Sequence, residues 1–204
     1  TLYDLIPLVY PNVYLSSLVQ RAAYDAQLQL VRCADLVLCI SEATRRDAIK
    51  YLGLKESRVK VIGTGVEDHF HPPVDPTESF KLAQSAVPEL QPGFVMCTSG
   101  IEFRKNVDRL IEAYARLRRE VRAKHQLVIV WRISGETRAR LLGLAFSLGI
   151  DPSEILFTGL VSPEALVALY PSAHLFVFPS LYEGFGLPVA EAMAAGAPCI
   201  VSDN

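Results

Sequence analysis

Phe176-Val177-Phe178-Pro179-Ser180-Leu181-Tyr182-Glu183-Gly184-Phe185-Gly186-Leu187-Pro188-Val189-Ala190-Glu191-Ala192-Met193 reads as strand, loop and helix in one line. The apolar run reads as a buried strand that stops at Pro179, and Pro188 suits the opening of a helix, where a missing N–H costs nothing. Gly184 and Gly186 strip side chains from the loop, so its backbone amides can approach a ligand closely. The free amides and positive dipole end of the helix favour a phosphate there. Glu183 on the loop and Glu191, expected in the first helical turn, can both reach hydroxyls beside that phosphate. A turn that offers amides to phosphate and carboxylates to neighbouring hydroxyls reads as a nucleotide-sugar site.

Outward from this unit the pattern repeats. Apolar runs at 94–98, 127–131, 155–158, 175–178 and 199–201 predict strands, and helical spacing falls at 107–119, 136–148, 163–169 and 188–194. Strands alternating with helices predict an α/β fold with a parallel sheet covered on both faces. Before it, a helical pattern runs from Leu15 to Val31, strands are expected at 36–40 and 59–62, and a further one at 2–6. Ser41 is placed to cap a helix that reaches Tyr51 and ends at Gly53. The stretch 67–76, rich in Pro, His and Asp, predicts a linker, and 77–91 has weak helical periodicity from Phe80 to Ala86. The expected organisation is therefore 1–66 as the end of a first domain, 67–92 as linker and connecting segment, and 93–204 as an incomplete second, nucleotide-sugar-binding domain.

Composition narrows the classes. Of 204 residues, 50% are hydrophobic and 21% charged, as in ordinary globular proteins, and a net charge of −2 gives no basic field for nucleic acid. No apolar run is long enough for a bilayer, and the opening Thr1-Leu2-Tyr3-Asp4 carries no leader pattern, so a cytoplasmic protein is expected. Cys33, Cys39, Cys97 and Cys199 form no C-x2-C pair and read as free thiols, mostly buried. His69 and His71 lack partners at metal-ligand spacing, and no Asp-x-Asp pair is present, so no metal is expected.

Arg104 and Lys105 follow the strand at 94–98 and precede a helix that Asn106 is expected to cap, with Asp108 in its first turn. Two cations against a positive helix end are each destabilising by up to about 1 kcal/mol unless an anion sits there. A diphosphate turns that repulsion into binding; in isolation the pair would also fit a solvated basic loop.

The string Pro179-Ser180-Leu181-Tyr182-Glu183-Gly184-Phe185-Gly186-Leu187-Pro188, with Glu191 closing an E-x7-E spacing, resembles the signature of retaining glycosyltransferases of family 4. The likeness extends from about Tyr3 to the C-terminal end of the chain. It implies the GT-B fold, two Rossmann-like domains, of which this chain would hold the end of one and most of the other. It implies a hexose, mannose- or glucose-type, moved from a GDP- or UDP-sugar donor to a saccharide or lipid-linked acceptor, without metal or other cofactor. Glu183 would lie against the donor sugar, Glu191 would bind the ribose hydroxyls, and the amides of Gly184, Phe185, Gly186 and Leu187 would touch sugar or diphosphate. Arg104 and Lys105 match an Arg and a Lys that stabilise the leaving diphosphate; Leu160 and Val161 would flank the nucleobase.

In Tyr3-Asp4 the family's His is replaced by Tyr3, a hydroxyl donor that cannot act as an imidazole base; Asp4 would orient a hydroxyl or cap a turn. Trp131 stands where the family often has a small residue, and core filling is favoured over base stacking. Core packing is likewise expected of Tyr10, Tyr14, Leu15 and Leu18, with an acceptor groove as the alternative, and the basic run 116–124 reads as a solvated face at a helix end. Synthesis of polysaccharide at the inner face of a membrane, with peripheral association through regions outside this chain, completes the expectation. The rivals are a nucleotide-sugar-binding module or inactive half-enzyme, which Tyr3 favours, and a phosphorylase or epimerase of the same fold.

Overall fold

The computed structural model describes residues 1–203, so the last residue of the expected 93–204 segment lies outside the described residues. The chain divides into two compact units, one of Thr1–Gly65 with Tyr182–Gly186, the other of Val66–Leu181 with Leu187–Asn204.

In the first unit, short helices α1 (Ile6–Val9) and α2 (Pro11–Tyr14) precede α3 (Leu18–Cys33), β1 (Val37–Cys39), α4 (Glu42–Leu52) and β2 (Val59–Val61). Ser17 and Gln20 close a reciprocal cap on α3, each satisfying a free amide of the first turn. Ser41 accepts from Thr44 N at 3.0 Å and starts α4; Gly53, with φ 67°, ends it. Strands β1 and β2 pair in parallel, Val37 opposite Val59. The strand expected at 2–6 is reduced to one parallel bridge between Leu2 and Cys39, because Asp4 Oδ1 accepts from Ile6 N at 3.0 Å and turns the chain into α1. Leu5, Cys39, Ala48 and Val59 fill the core of this unit. Of the residues expected to pack, Leu15 is buried, but Leu18 is 83% exposed because only Leu28 of α3 turns fully inward.

The second unit runs α5 (Pro76–Ala86), β3 (Val95–Cys97), α6 (Val107–Ala115), α7 (Arg119–Arg122), β4 (Leu127–Ile129) and α8 (Gly135–Ser147). It continues through β5 (Ile155–Phe157), α9 (Pro163–Ser172), β6 (Leu175–Phe178), α10 (Leu187–Ala194) and β7 (Cys199–Val201). The weak periodicity at 80–86 resolves into α5, which Asp75 starts by accepting from Thr77 N and Glu78 N. All five strands are parallel, ordered β5-β4-β3-β6-β7, a doubly wound Rossmann-like sheet.

Alternation along the strands splits the core. Met96, Val128, Phe176 and Phe178 pack with α5, α9 and α10, while Cys97, Leu127, Ile129 and Phe157 pack with α6 and α8. The chain winds outward from β3 through β4 to β5, then returns to β6 and β7. That reversal leaves a crevice at the carboxyl ends of β3 and β6, where doubly wound sheets bind ligands.

Within the basic run 116–124, Arg116, Arg118, Arg119 and Lys124 are exposed as expected, and Arg122 is the exception. Helix α6 stops at Ala115, and Arg122 turns inward instead of lying on a solvated face. Its Nη1 donates to the Ala115 and Leu117 carbonyls, Nη2 to that of Gly149, and Nε lies 3.2 Å from Glu154. Nearby, the buried Tyr114 hydroxyl faces the carbonyls of His125, Glu154 and Arg122 at 2.9, 3.2 and 3.3 Å. Burial, then the Glu154 charge, pushes its pKa up to about 12.

Tyr114→Phe is expected to lower stability by about 1–2 kcal/mol at pH 8, the effect of removing a buried donor from its acceptors. The folded phenol holds its proton beyond the unfolded value of about 10, so its stabilising contribution is complete below pH 10 and declines above it. Urea unfolding at pH 8 and pH 11 should therefore show a smaller gap between wild type and variant at the higher pH.

Candidate functional site

The carboxyl ends of β3, β4 and β5, together with α9 and α10, enclose a cavity of about 370 Å³ in the second unit. Thr98, Ser99 and Gly100 leave β3 along its floor, and Glu102, Arg104 and Lys105 follow them. Val130 and Trp131 come from the end of β4, Gly159, Leu160 and Val161 from the end of β5. Leu166 and Tyr170 on α9, and Pro188 and Glu191 on α10, close it. Arg104, Lys105, Leu160, Val161 and Glu191, separated by up to 87 residues of chain, thus line one space.

Residues Phe103–Lys105 form a single 3-10 turn, which carries both cations. Arg104 Nε lies 3.4 Å from the Glu102 carboxylate, and Lys105 Nζ sits 5.1 Å from the centre of the Phe178 ring. The Arg104 carbonyl accepts from Leu181 N at 2.7 Å. Asn106 departs from its expected capping role. It adopts φ 58°, makes no side-chain cap bond to α6, and its Nδ2 donates to the Pro179 carbonyl at 3.1 Å. Asn106 is the one described non-glycine residue with positive φ, a conformation Asn tolerates better than most side chains. These two bonds tie the loop after β3 to the chain leaving β6, so the cationic turn is fixed across the switch point of the sheet.

Glu191 is the fifth residue of α10 and so stands in its second turn, not the first, because the helix begins at Leu187. Pro188 is correspondingly the second helical residue, where its lack of an N–H is still harmless. The Tyr170 hydroxyl donates to Glu191 Oε2 at 2.7 Å and lies 3.3 Å from Thr98 Oγ1. Burial, chiefly, raises the Tyr170 phenol far above its ordinary value, so it stays a donor. Helix α9 extends past the expected end at 169 because Pro171 sits near its C-terminus, where Ala173 N still bonds the Leu169 and Tyr170 carbonyls.

Trp131 is no core residue: 46% exposed, it lies in the cavity with its indole against Gly100, where a Cβ would meet Nε1 at 3.6 Å. Leu160 is exposed in the same space, while Val161 packs back on the core. The cavity therefore combines two cations and two carboxylates with the apolar surfaces of Trp131 and Leu160. Beneath it, burial raises the Cys97 thiol to about 11, which keeps it protonated and inert.

The loop Tyr182–Gly186 belongs to the first unit. The Gly184 carbonyl accepts from Ser41 Oγ, and Thr44 Oγ1 donates to the Tyr3 carbonyl at 2.9 Å. A Cβ on Gly184 would stand 2.5 Å from the Tyr3 carbonyl oxygen and 3.0 Å from Asp4 Cβ. The glycine thus makes room for the protein's own backbone, a reason separate from ligand approach. Gly186 is required by its φ of 88°. Tyr182 donates to Asp47 Oδ2 at 2.5 Å, and burial followed by that bond raises its phenol. Glu183 is half-buried within this loop, Phe185 is exposed, and Leu187 is exposed at the start of α10. Tyr3 is 66% exposed, and Asp4 caps the turn into α1. Glu183, Gly184, Phe185 and Gly186 thus share the first unit with Tyr3 and Asp4, the second group of sequence-selected residues.

The sequence pattern does not single out Tyr170, Thr98 or Asp47. A tyrosine before a proline and a threonine after a strand read as packing and turn residues; only the pairing with distant carboxylates distinguishes them. The spacing Asn106 to Pro179 is equally invisible until the sheet order places their strands side by side. Among the described residues, no three His, Cys, Asp or Glu side chains gather that could hold a metal ion, and no helix is long and apolar enough to cross a membrane.

Residues 80–204 match the family described as Glycosyl transferases group 1, and residues 2–70 match Glycosyltransferase Family 4. A serotype-specific mannosyltransferase WbdA of Escherichia coli is 35% identical over 204 residues, covering 98% of this chain and 24% of that protein. The O-antigen chain mannosyltransferase B of Escherichia coli is 31% identical, covering 83% of this chain and 44% of that protein. This chain thus spans a quarter to under half of these relatives. Among solved structures, Anabaena Alr3699/HepE in complex with UDP-glucose superposes with TM-score 0.71 at 22% identity over 87% of this chain and 47% of that one. WaaG, a glycosyltransferase involved in lipopolysaccharide biosynthesis, gives TM-score 0.66 at 22% identity over 80% of this chain and 43% of its own. These likenesses establish the GT-B-type fold class.

Proposed function

The chain belongs to the group 1 glycosyl transferases, and from that premise we propose that it carries the donor site of a retaining hexosyltransferase. The observation that supports this reading is the cavity in which Arg104, Lys105 and Glu191 stand with apolar Trp131 and Leu160. A nucleoside diphosphate has matching parts: an anion for the cations, hydroxyls for the carboxylate and a flat base for the apolar surfaces. Mannose is the favoured sugar, since the relatives named above are mannosyltransferases. The acceptor is a saccharide or lipid-linked saccharide, which would put the protein at the cytoplasmic face of a membrane.

In this reading the bond from the anomeric carbon to the diphosphate oxygen breaks while the acceptor oxygen attacks from the same face. Arg104, Lys105 and the amino end of α10 neutralise charge gathering on the departing oxygens, with no metal required. The acceptor proton passes to the leaving phosphate. Glu183 positions the donor and stabilises positive charge at the anomeric carbon, while the amides of Gly184 to Leu187 meet sugar or diphosphate.

The chain contains a single tryptophan, so its indole fluorescence reports on Trp131 alone. Titration with GDP and with UDP is expected to quench that emission saturably, and calorimetry on the same samples gives the affinity of each. If neither nucleotide changes the emission or releases heat at millimolar concentration, the donor-site reading is wrong. Tyr3 in place of the family's His favours one other reading, a module that binds nucleotide sugar without transfer. Release of nucleoside diphosphate with a glycosylated acceptor, in the longest form of the protein that carries this chain, decides between them.

A further inference from the structure

We propose that Tyr170 is a positioning residue for Glu191, fixing its carboxylate so that it discriminates the ribose hydroxyls of a nucleoside diphosphate. The inference rests on the donor-site reading above. Three elements converge on this pair: Thr98 after β3, Tyr170 on α9 and Glu191 on α10. A phenol has one proton to give. Tyr170 spends it on Glu191 Oε2 at 2.7 Å, so the 3.3 Å contact with Thr98 Oγ1 runs the other way, Thr98 donating to the phenol oxygen. The result is a directed chain from Thr98 through Tyr170 to Glu191.

The Tyr170 ring cannot swing to follow the carboxylate. It is fully buried and held edge-on by Phe70, with centroids 5.7 Å apart, and by Phe176 at 5.4 Å. A glutamate side chain otherwise loses rotamer freedom when a ligand immobilises it. Holding Oε2 in advance removes part of that loss and leaves Oε1 as the acceptor for a ligand hydroxyl. The gain applies only to ligands that offer hydroxyls to Glu191. A purely structural phenol would instead affect all nucleotides equally.

The test is a set of dissociation constants for wild type and Tyr170→Phe, measured by calorimetry with whichever of GDP or UDP binds, and with its 2′,3′-dideoxy counterpart. Wild type is expected to prefer the ribonucleotide by about tenfold or more, the worth of a hydrogen bond to a charged group. Tyr170→Phe should bring that preference to within about threefold by weakening the ribonucleotide alone. Equal weakening of both ligands, or a preference left intact, overturns the positioning role while the donor site stands. A wild type that binds both ligands equally overturns the Glu191 assignment and this inference with it. Should Tyr170→Phe fail to fold by circular dichroism, Thr98→Val breaks the same chain one step earlier. A two- to threefold fall in ribose preference is then expected, and an unchanged preference refutes the proposal.

Discussion

Arg104→Gln with Lys105→Gln is expected to lower sugar transfer by about 10⁴–10⁶-fold while leaving the fold intact, since each oriented charge on a leaving oxygen is worth about 10²–10³ in rate and the two act on the same diphosphate. The two side chains line the cavity from one short turn. That turn is held by main-chain and neighbouring groups: the Arg104 carbonyl bonds Leu181 N, and Asn106 bonds the Pro179 carbonyl. Neither bond uses the charged side chains, so neutralising them changes the field in the cavity more than its shape. The Arg104–Glu102 pair is lost, but Glu102 is more than half exposed and that loss is small. Transfer kinetics in the longest form of the protein, with thermal unfolding as the control, read the effect. Binding gives a second readout: nucleoside diphosphate should weaken strongly, and the corresponding nucleoside hardly at all. A double variant with wild-type melting and turnover within tenfold of wild type would exclude the proposed charge neutralisation.

Arg122→Ala is expected to destabilise the second unit by about 3–5 kcal/mol, far beyond the effect of an ordinary surface arginine. The side chains of Arg122 and Glu154 are only 10% and 9% exposed, and their 3.2 Å contact is sheltered from solvent screening. Truncation leaves the Glu154 carboxylate without its counter-charge, held by the Asp151 amide, and removes donors from the carbonyls of Ala115, Leu117 and Gly149. Arg122→Lys keeps the charge but loses the planar fork that serves several carbonyls at once, so it should fall between wild type and alanine. Urea midpoints for the three proteins measure the series. A loss below about 1 kcal/mol for alanine would show that the pair is not buried as described.

That arginine illustrates what a linear sequence conceals. The run 116–124 looks like a solvated basic face because charge density is all that local pattern reports. Only the return of the chain at Gly149 and Glu154 supplies the partners that draw one of its arginines inward. Regularly periodic elements were legible for the opposite reason. The runs at 155–158 and 175–178 differ from β5 and β6 by at most one residue, since burial on a parallel sheet demands a continuous apolar stretch wherever the strand lies. Helix starts were legible at Ser41 and Asn106, both at the N-cap position as expected, but the capping bond was misread at Asn106, whose side chain answers a distant carbonyl. In the cavity, Arg104, Lys105, Leu160, Val161 and Glu191 could be selected because strand-end position is written locally. Tyr170 and Trp131 could not, because their roles depend on which strand ends become neighbours.

Ser41 does two jobs with one oxygen atom. It launches α4 by accepting from Thr44 N and, through its proton, grips the carbonyl of Gly184 in the acidic loop. Fraying at that helix start and loosening of the loop around Glu183 are therefore a single event, not independent motions. Amide exchange at the beginning of α4 would thus serve as a remote gauge of order in the loop around Glu183.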